Sequence, residues 1–264
     1  MDTLGARFLQ LEKEALIVLR AYALAFERWT VFVRKPLEVV AQRLAQQSAY
    51  LDLASARAIT YIIAAPLLWN VLARLEYYTS VWSRLCLGRR RFACLLLACW
   101  VFSFSLYRDL VVLEAMQTSA VRLPPFPQAF IPAVVWRFCT PRTIASAVDA
   151  VAWAAFATGL VLVTTSFLQL GLFGTYLGDY FGILKPSKVS AFPFSHFEHP
   201  MYDGSSLLFL AEALFERSTL GLLLTLLLFA VYRIATIWEG SFTNYIYANR
   251  ARQRATFFGR KHAD

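Results

Sequence analysis

The chain has 264 residues, of which 58% are apolar and 16% charged, with a mean hydropathy of +0.51. Soluble domains are about a quarter charged, so this composition excludes an ordinary soluble globule and points to helices in a membrane. The net charge of +9 is gathered at Arg89, Arg90 and Arg91 and in a tail with Arg250, Arg252, Arg254, Arg260 and Lys261. A basic tail has a nucleic-acid reading, but beside long apolar runs it reads as an orientation signal and a contact for anionic lipid.

In chain order, residues 1–57 form an amphipathic, helical extension. Arg20, Glu27, Arg28, Arg34 and Lys35 interrupt its apolar residues, which suits a helix lying in the membrane interface with Trp29 and Phe32 as anchors. Pro36 divides it. Asp2, Glu12 and Glu14 precede any apolar run, so no cleavable signal is expected.

Residues 58–73 are an apolar run of sixteen, shorter than the roughly 20 residues a crossing needs, and Pro66 interrupts it. A short span or a re-entrant segment fits. Residues 92–107 make a firmer span that starts after the triple arginine and ends at Asp109. Pro124, Pro125, Pro127 and Pro132 mark a connection, and residues 147–170 make the next span, with Asp149 at its start. A loop with Gly171, Gly174, Gly178 and Gly182 follows. No strand precedes these glycines, so they are no dinucleotide fingerprint; they permit close backbone approach.

Residues 204–216 read as a short helix and 219–238 as the most apolar one. If the triple arginine is cytoplasmic, the tail returns to that side only when these two helices form a hairpin turning at Glu216, Arg217 and Ser218. The hairpin brings Glu239 to the membrane face that carries His199. The first arm, thirteen residues, reaches only about 20 Å. The fold expected is an all-α, multi-pass membrane bundle over residues 58–254, followed by a basic tail, 255–264.

Ionisable groups crowd into SHFEHPMYDG, residues 195–204. His196 and His199 stand three apart, but Pro200 biases His199 away from helix, and a catalytic zinc wants three protein ligands in a recognised spacing. No metal is expected. Cys86, Cys94, Cys99 and Cys139 include no C-x-x-C pair and read as packed free thiols. Thr225, Tyr232, Thr236 and Glu239 recur at spacings of seven, four and three, so they share one helix face. Arg233 beside them either snorkels or pairs with Glu216 or Glu239. Glu212 and Glu216 sit one turn apart on the preceding helix.

GTYLGDYFGIL (174–184), AFPF (191–194), HPMYDGSSL (199–207), LGLLLT (220–225) and FTNYIYANR (242–250), with PLLWNVLARLE (66–76) upstream, resemble the phosphatidylethanolamine N-methyltransferases over residues 58–254. The resemblance implies S-adenosylmethionine as methyl donor and a phospholipid amine as acceptor, in the endoplasmic reticulum; the positive-inside rule puts the active site and C-terminus on the cytoplasmic side. The family's donor-binding G-x-G falls at Ala157, Thr158 and Gly159, and its Glu-Glu pair at Glu239 and Gly240. Ala157 and Gly240 depart from the pattern. His199, Pro200 and Tyr202, followed by Gly204, also resemble the H-P-x-Y element of isoprenylcysteine methyltransferases, which helps hold the donor. On this reading Glu239 faces the donor's charged end, and His199 or Glu212 is the base that frees the amine. The departures leave open a non-catalytic relative; the intramembrane charges leave open a transporter. Oligomeric state and the methylation step served stay open.

Overall fold

The computed structural model describes residues 52–119, 126–127, 131, 140–186 and 189–261, with helix side chains described as far as residue 249. Trp29, Phe32, Pro36 and Cys139 lie outside the described residues, as do the side chains of the basic tail. The described elements are helices: α1 (Leu53–Thr79), α2 (Val81–Leu85), α3 (Arg90–Thr118), α4 (Pro141–Thr175), a 3-10 turn (Gly178–Phe181), α5 (Pro200–Phe215) and α6 (Thr219–Lys261). Four segments are long and apolar enough to cross a membrane: Leu53–Thr79, Arg90–Thr118, Pro141–Phe181 and Thr219–Asn249. The protein is an all-α, multi-pass integral membrane bundle.

The run at 58–73 is neither short nor re-entrant. Asp52 caps α1 by accepting from Ser55 N at 2.9 Å, and the helix runs 27 residues with Pro66 inside it. The charged residues that end the hydropathic run do not end the helix, because each has a partner in the bundle. Arg57 pairs with Glu114. Arg74 donates to the Trp238 carbonyl at 2.9 Å and lies over the Trp238 ring at 4.4 Å. Glu76, only 2% exposed, accepts from Trp82 N at 2.8 Å and Ser83 N at 3.2 Å, which fixes α2 against α1.

Asp109 likewise lies inside α3 rather than at its end. Arg108 bonds it at 2.7 Å through Nη2 and donates through Nη1 to Tyr232 Oη at 2.7 Å, so the charge is accommodated and the helix continues to Thr118. In α4, the one internal break falls at Gly171 (φ 64°, ψ 176°), a backbone geometry open to glycine.

Cross-links fix the order of the ends. Asp52 accepts from Ser119 at 2.7 Å, Gln117 donates to Glu216 at 3.0 Å and Arg217 pairs with Asp149 at 2.5 Å; these gather at one end, the far end. At the other, the near end, Lys185 N donates to Tyr247 Oη at 3.1 Å, and a Cβ at Gly182 would stand 3.0 Å from Arg90 Nη1. The helices alternate in direction, and α5 and α6 form a hairpin turning at Glu216–Ser218, with Ser218 N bonded to the Ala213 carbonyl at 2.9 Å. The short arm starts at Pro200, earlier than residue 204. At 16 residues it rises about 24 Å, still below the ~30 Å hydrocarbon thickness.

The main core joins α1, α3, the 3-10 turn, Phe209 of α5 and α6. A second cluster, Ile144, Val148, Ala152 and Leu214, joins α4 to α5 at the far end. Leu67, Val71, Phe102, Leu106, Trp153, Leu226 and Ile237 remain exposed, as lipid-facing residues do. Cys86 and Cys94 are buried free thiols, whereas Cys99 is a free thiol on the exposed side of α3. Burial and the nearby Glu76 push the Cys86 thiol up.

Candidate functional site

The site is built around Glu239 of α6. Its Oε1 accepts from Trp69 Nε1 at 2.9 Å and from Asn70 Nδ2 at 2.7 Å, both on α1. Its Oε2 accepts from Tyr202 Oη at 2.7 Å, on the first turn of α5. Carboxylates at membrane depth are costly unless satisfied within the protein, and three donors from two other helices meet that cost. Asn70 is fully buried, yet its Oδ1 has no partner.

Aromatic rings pack around this centre. The Tyr202 and Tyr232 rings meet edge-to-face at 4.8 Å. Phe242, one turn beyond Glu239, stacks on Tyr180 of the 3-10 turn at 5.1 Å. Close approach forms that turn: a Cβ on Gly178 would stand 2.6 Å from the Phe173 carbonyl oxygen. Asp179 accepts from Thr243 at 2.8 Å, tying the turn to α6 one turn past Glu239.

Of the residues singled out in the sequence, Tyr202 and Glu239 come into direct contact. His199 is the N-cap residue of α5; its carbonyl accepts from Tyr202 N and Asp203 N, both at 3.1 Å. Pro200 is the first helical residue, where a missing N–H costs nothing. His196 is exposed and its Nδ1 bonds Ser195 Oγ at 2.7 Å. Glu212 lies thirteen residues past His199, about 20 Å down α5, so it is not brought to the site. Gly159 and Gly204 face one another between α4 and α5: a Cβ on Gly159 would stand 2.7 Å from the Gly204 carbonyl oxygen. Ala157 and Thr158 are exposed. Ala157, about 200° around the helix from Gly159, faces away from α5. A Cβ on Gly240 would have nothing within 4 Å.

The polar stripe resolves into two kinds of residue. Thr225 is turned back onto the Gly221 carbonyl at 2.8 Å and Thr236 onto that of Arg233 at 2.9 Å, while Tyr232 and Glu239 make cross-helix bonds. Arg233 pairs with Asp203 across the hairpin, and not with Glu216 or Glu239. Trp69 and Asn70 join the site through α1, and the signal for them in the sequence is an asparagine inside an apolar run.

The sequence that builds this bundle matches a known class of membrane enzyme. A family model for phospholipid methyltransferase matches residues 148–250, and the chain belongs to that family. It is 40% identical over 197 residues to phosphatidylethanolamine N-methyltransferase A of Dictyostelium discoideum, covering 75% of this chain and 84% of the relative. It is 43% identical over 190 residues to phosphatidyl-N-methylethanolamine N-methyltransferase of Schizosaccharomyces pombe, covering 72% and 88%. With human phosphatidylethanolamine N-methyltransferase it shares 35% identity over 201 residues, covering 76% and 92%. No solved structure matches the chain.

Proposed function

We propose that this protein transfers a methyl group from S-adenosylmethionine to the headgroup nitrogen of phosphatidylethanolamine, or of its mono- or dimethyl derivatives, leading to phosphatidylcholine. The observation that carries this reading is the Glu239 carboxylate, tied to Trp69, Asn70 and Tyr202, in a member of the phospholipid methyltransferase family.

The residues present fit a cationic donor. A carboxylate and an orphaned amide oxygen, Asn70 Oδ1, are both acceptors, as a ligand with a positive sulfur and ammonium requires. S-adenosylmethionine supplies, when bound, a methyl group on an electron-poor sulfur. Glu239 holds the donor's charged end, and Trp69 and Tyr202 hold Glu239. The acceptor nitrogen must be neutral to attack, whereas an alkylamine with a pKa of about 10 is mostly protonated at neutral pH. His199, the N-cap residue of α5 three positions before Tyr202, is the base for that proton; Glu212 is too far down the helix for the role. Alignment of the reacting atoms at roughly 3–3.5 Å supplies much of the rest.

The near end carries Arg90 and the body of α6 that leads into the basic tail. By the positive-inside rule that end is cytoplasmic, in the endoplasmic reticulum, with the tail against anionic lipid. The test is a labelled-methyl assay on membranes given each of the three acceptors, products resolved by chromatography. Transfer that is lost in Glu239→Ala while the protein remains inserted supports the reading; transfer unchanged by that substitution rejects the donor site. A second reading, a non-catalytic relative, has Ala157 and Gly240 in its favour. Absence of calorimetric binding of S-adenosylmethionine to the protein in lipid would favour it.

A further inference from the structure

A cavity of about 420 Å³ lies between the two arms of the hairpin, lined by Leu207 and Leu210 of α5 and by Leu222, Leu226 and Phe229 of α6, with Asp203 at one end. Its size falls within the usual range for small-molecule sites. The two hydroxyls in its wall are already spent within their own helices, Ser206 on the Tyr202 carbonyl at 2.9 Å and Thr225 on that of Gly221 at 2.8 Å. The wall is therefore apolar in effect. From Asp203 to Leu210 the groove runs about 10 Å along α5, from the near end toward the middle of the bundle. Leu226, 65% exposed, leaves it open to the hydrocarbon.

The mouth has the opposite character. Asp203 and Arg233 form an ion pair there, neither fully buried. Arg233 also lies over the Phe229 ring at 4.7 Å, and its part-exposed guanidinium carries more N–H donors than one carboxylate takes up. One anion and one cation with spare donor capacity are complementary to a zwitterionic headgroup: guanidinium to phosphate, carboxylate to ammonium. Asp203 directly follows Tyr202, which bonds Glu239. A headgroup at the mouth thus lies at about the depth of the Glu239 site, roughly 100° around α5 from Tyr202.

We propose that this groove seats an acyl chain of the acceptor phospholipid, with Arg233 on its phosphate and Asp203 guiding its amine; the proposal rests on the methyltransferase reading above. It makes Arg233 and the groove residues determinants of acceptor binding, separate from the donor contacts at Glu239.

The full-length protein is reconstituted in phosphatidylcholine vesicles holding a trace of phosphatidylethanolamine with a diazirine in one acyl chain. After irradiation, labelled peptides are located by mass spectrometry. The expected result is label concentrated in segments 203–210 and 222–229, severalfold above the exposed α4 segment around Trp153. Leu226→Trp, at a lipid-exposed position that tolerates bulk, and Arg233→Gln should each remove most of that excess. In mixed micelles, Leu226→Trp should raise the ratio of long-chain to short-chain acceptor KM about tenfold. Label spread evenly over the lipid-facing helices, or unmoved by both substitutions, overturns the groove. Methyl transfer is read on the same samples. Groove labelling without methyl transfer refutes the methyltransferase reading and leaves the groove standing; normal transfer without groove labelling does the reverse.

Discussion

The backbones of Gly159 and Gly204 touch: a Cβ built on Gly159 would stand 2.7 Å from the Gly204 carbonyl oxygen, and one on Gly204 would stand 2.9 Å from that of Gly159. This is the close crossing that small residues permit between membrane helices, and among the described residues α4 and α5 form the most extensive helix pair. Since α5 carries Tyr202 into the site, the crossing sets the position of that side chain. Gly159→Ala and Gly204→Ala should therefore force the helices apart, at a cost of about 1–3 kcal/mol each, seen as a lower Tm in detergent. Gly240→Ala, made where the space is open, should leave the Tm unchanged or raise it slightly, because alanine favours helix by about 1 kcal/mol.

Glu239 is the point where three helices meet, so the loss of either aromatic partner should weaken donor binding. Tyr202→Phe removes one donor, at 2.7 Å. A hydrogen bond to a charged group contributes about 1.5–3 kcal/mol, which converts to a loss of roughly tenfold to a hundredfold in S-adenosylmethionine affinity, by calorimetry in lipid. Trp69→Phe, which removes the 2.9 Å bond, should cost a comparable amount. An affinity unchanged in both variants would mean that the carboxylate does not need these neighbours to hold the donor.

The hairpin was legible in the sequence because positive charge at two places and a polar turn at Glu216–Ser218 leave few ways to thread the last two helices. The hairpin puts Glu239 on the membrane face of the 195–204 segment, and Tyr202 of that segment is the residue that contacts it. The length of α1 was not. Arg57, Arg74 and Glu76 look like helix ends on a hydropathy scale, and only their partners, Glu114, Trp238 and Ser83, reveal that the helix continues. The same holds for Arg233: its charge was visible, but Asp203, thirty positions earlier, becomes its partner only through the turn of the hairpin. Long-range pairing of this kind depends on helix register, which periodicity within one helix does not report.

Gly240 occupies the position where the family resemblance expects a second glutamate. Nothing lies within 4 Å of a Cβ there, so the missing carboxylate leaves room rather than a filled substitute. Gly240→Glu meets nothing at its Cβ; it should add a charge beside Glu239 and tighten S-adenosylmethionine binding severalfold. The gain is modest because partly exposed charge interactions are worth about 1 kcal/mol or less. Calorimetric Kd values for the two proteins in the same lipid decide it. Weaker binding in Gly240→Glu would mean that the like-charge repulsion between neighbouring carboxylates exceeds the attraction to the donor.

Arg108 is 4% exposed and sits in the interior of α3, with one hydrogen bond to Tyr232 and two to Asp109. Removing one member of a buried polar set costs more than the set contributes, because the remaining groups lose their partners. Arg108→Met leaves the Tyr232 hydroxyl and Asp109 unmatched and should destabilise the bundle by about 3–5 kcal/mol. Tyr232→Phe leaves the guanidinium bound to Asp109 and should cost only about 1–3 kcal/mol. The double substitution should then be less damaging than the sum of the two, since Tyr232 has no partner left to lose once Arg108 is gone. Thermal unfolding of the four proteins in one detergent closes the cycle. Strict additivity would mean that the 2.7 Å contact contributes nothing to stability, and that Arg108 is held in α3 by Asp109 alone.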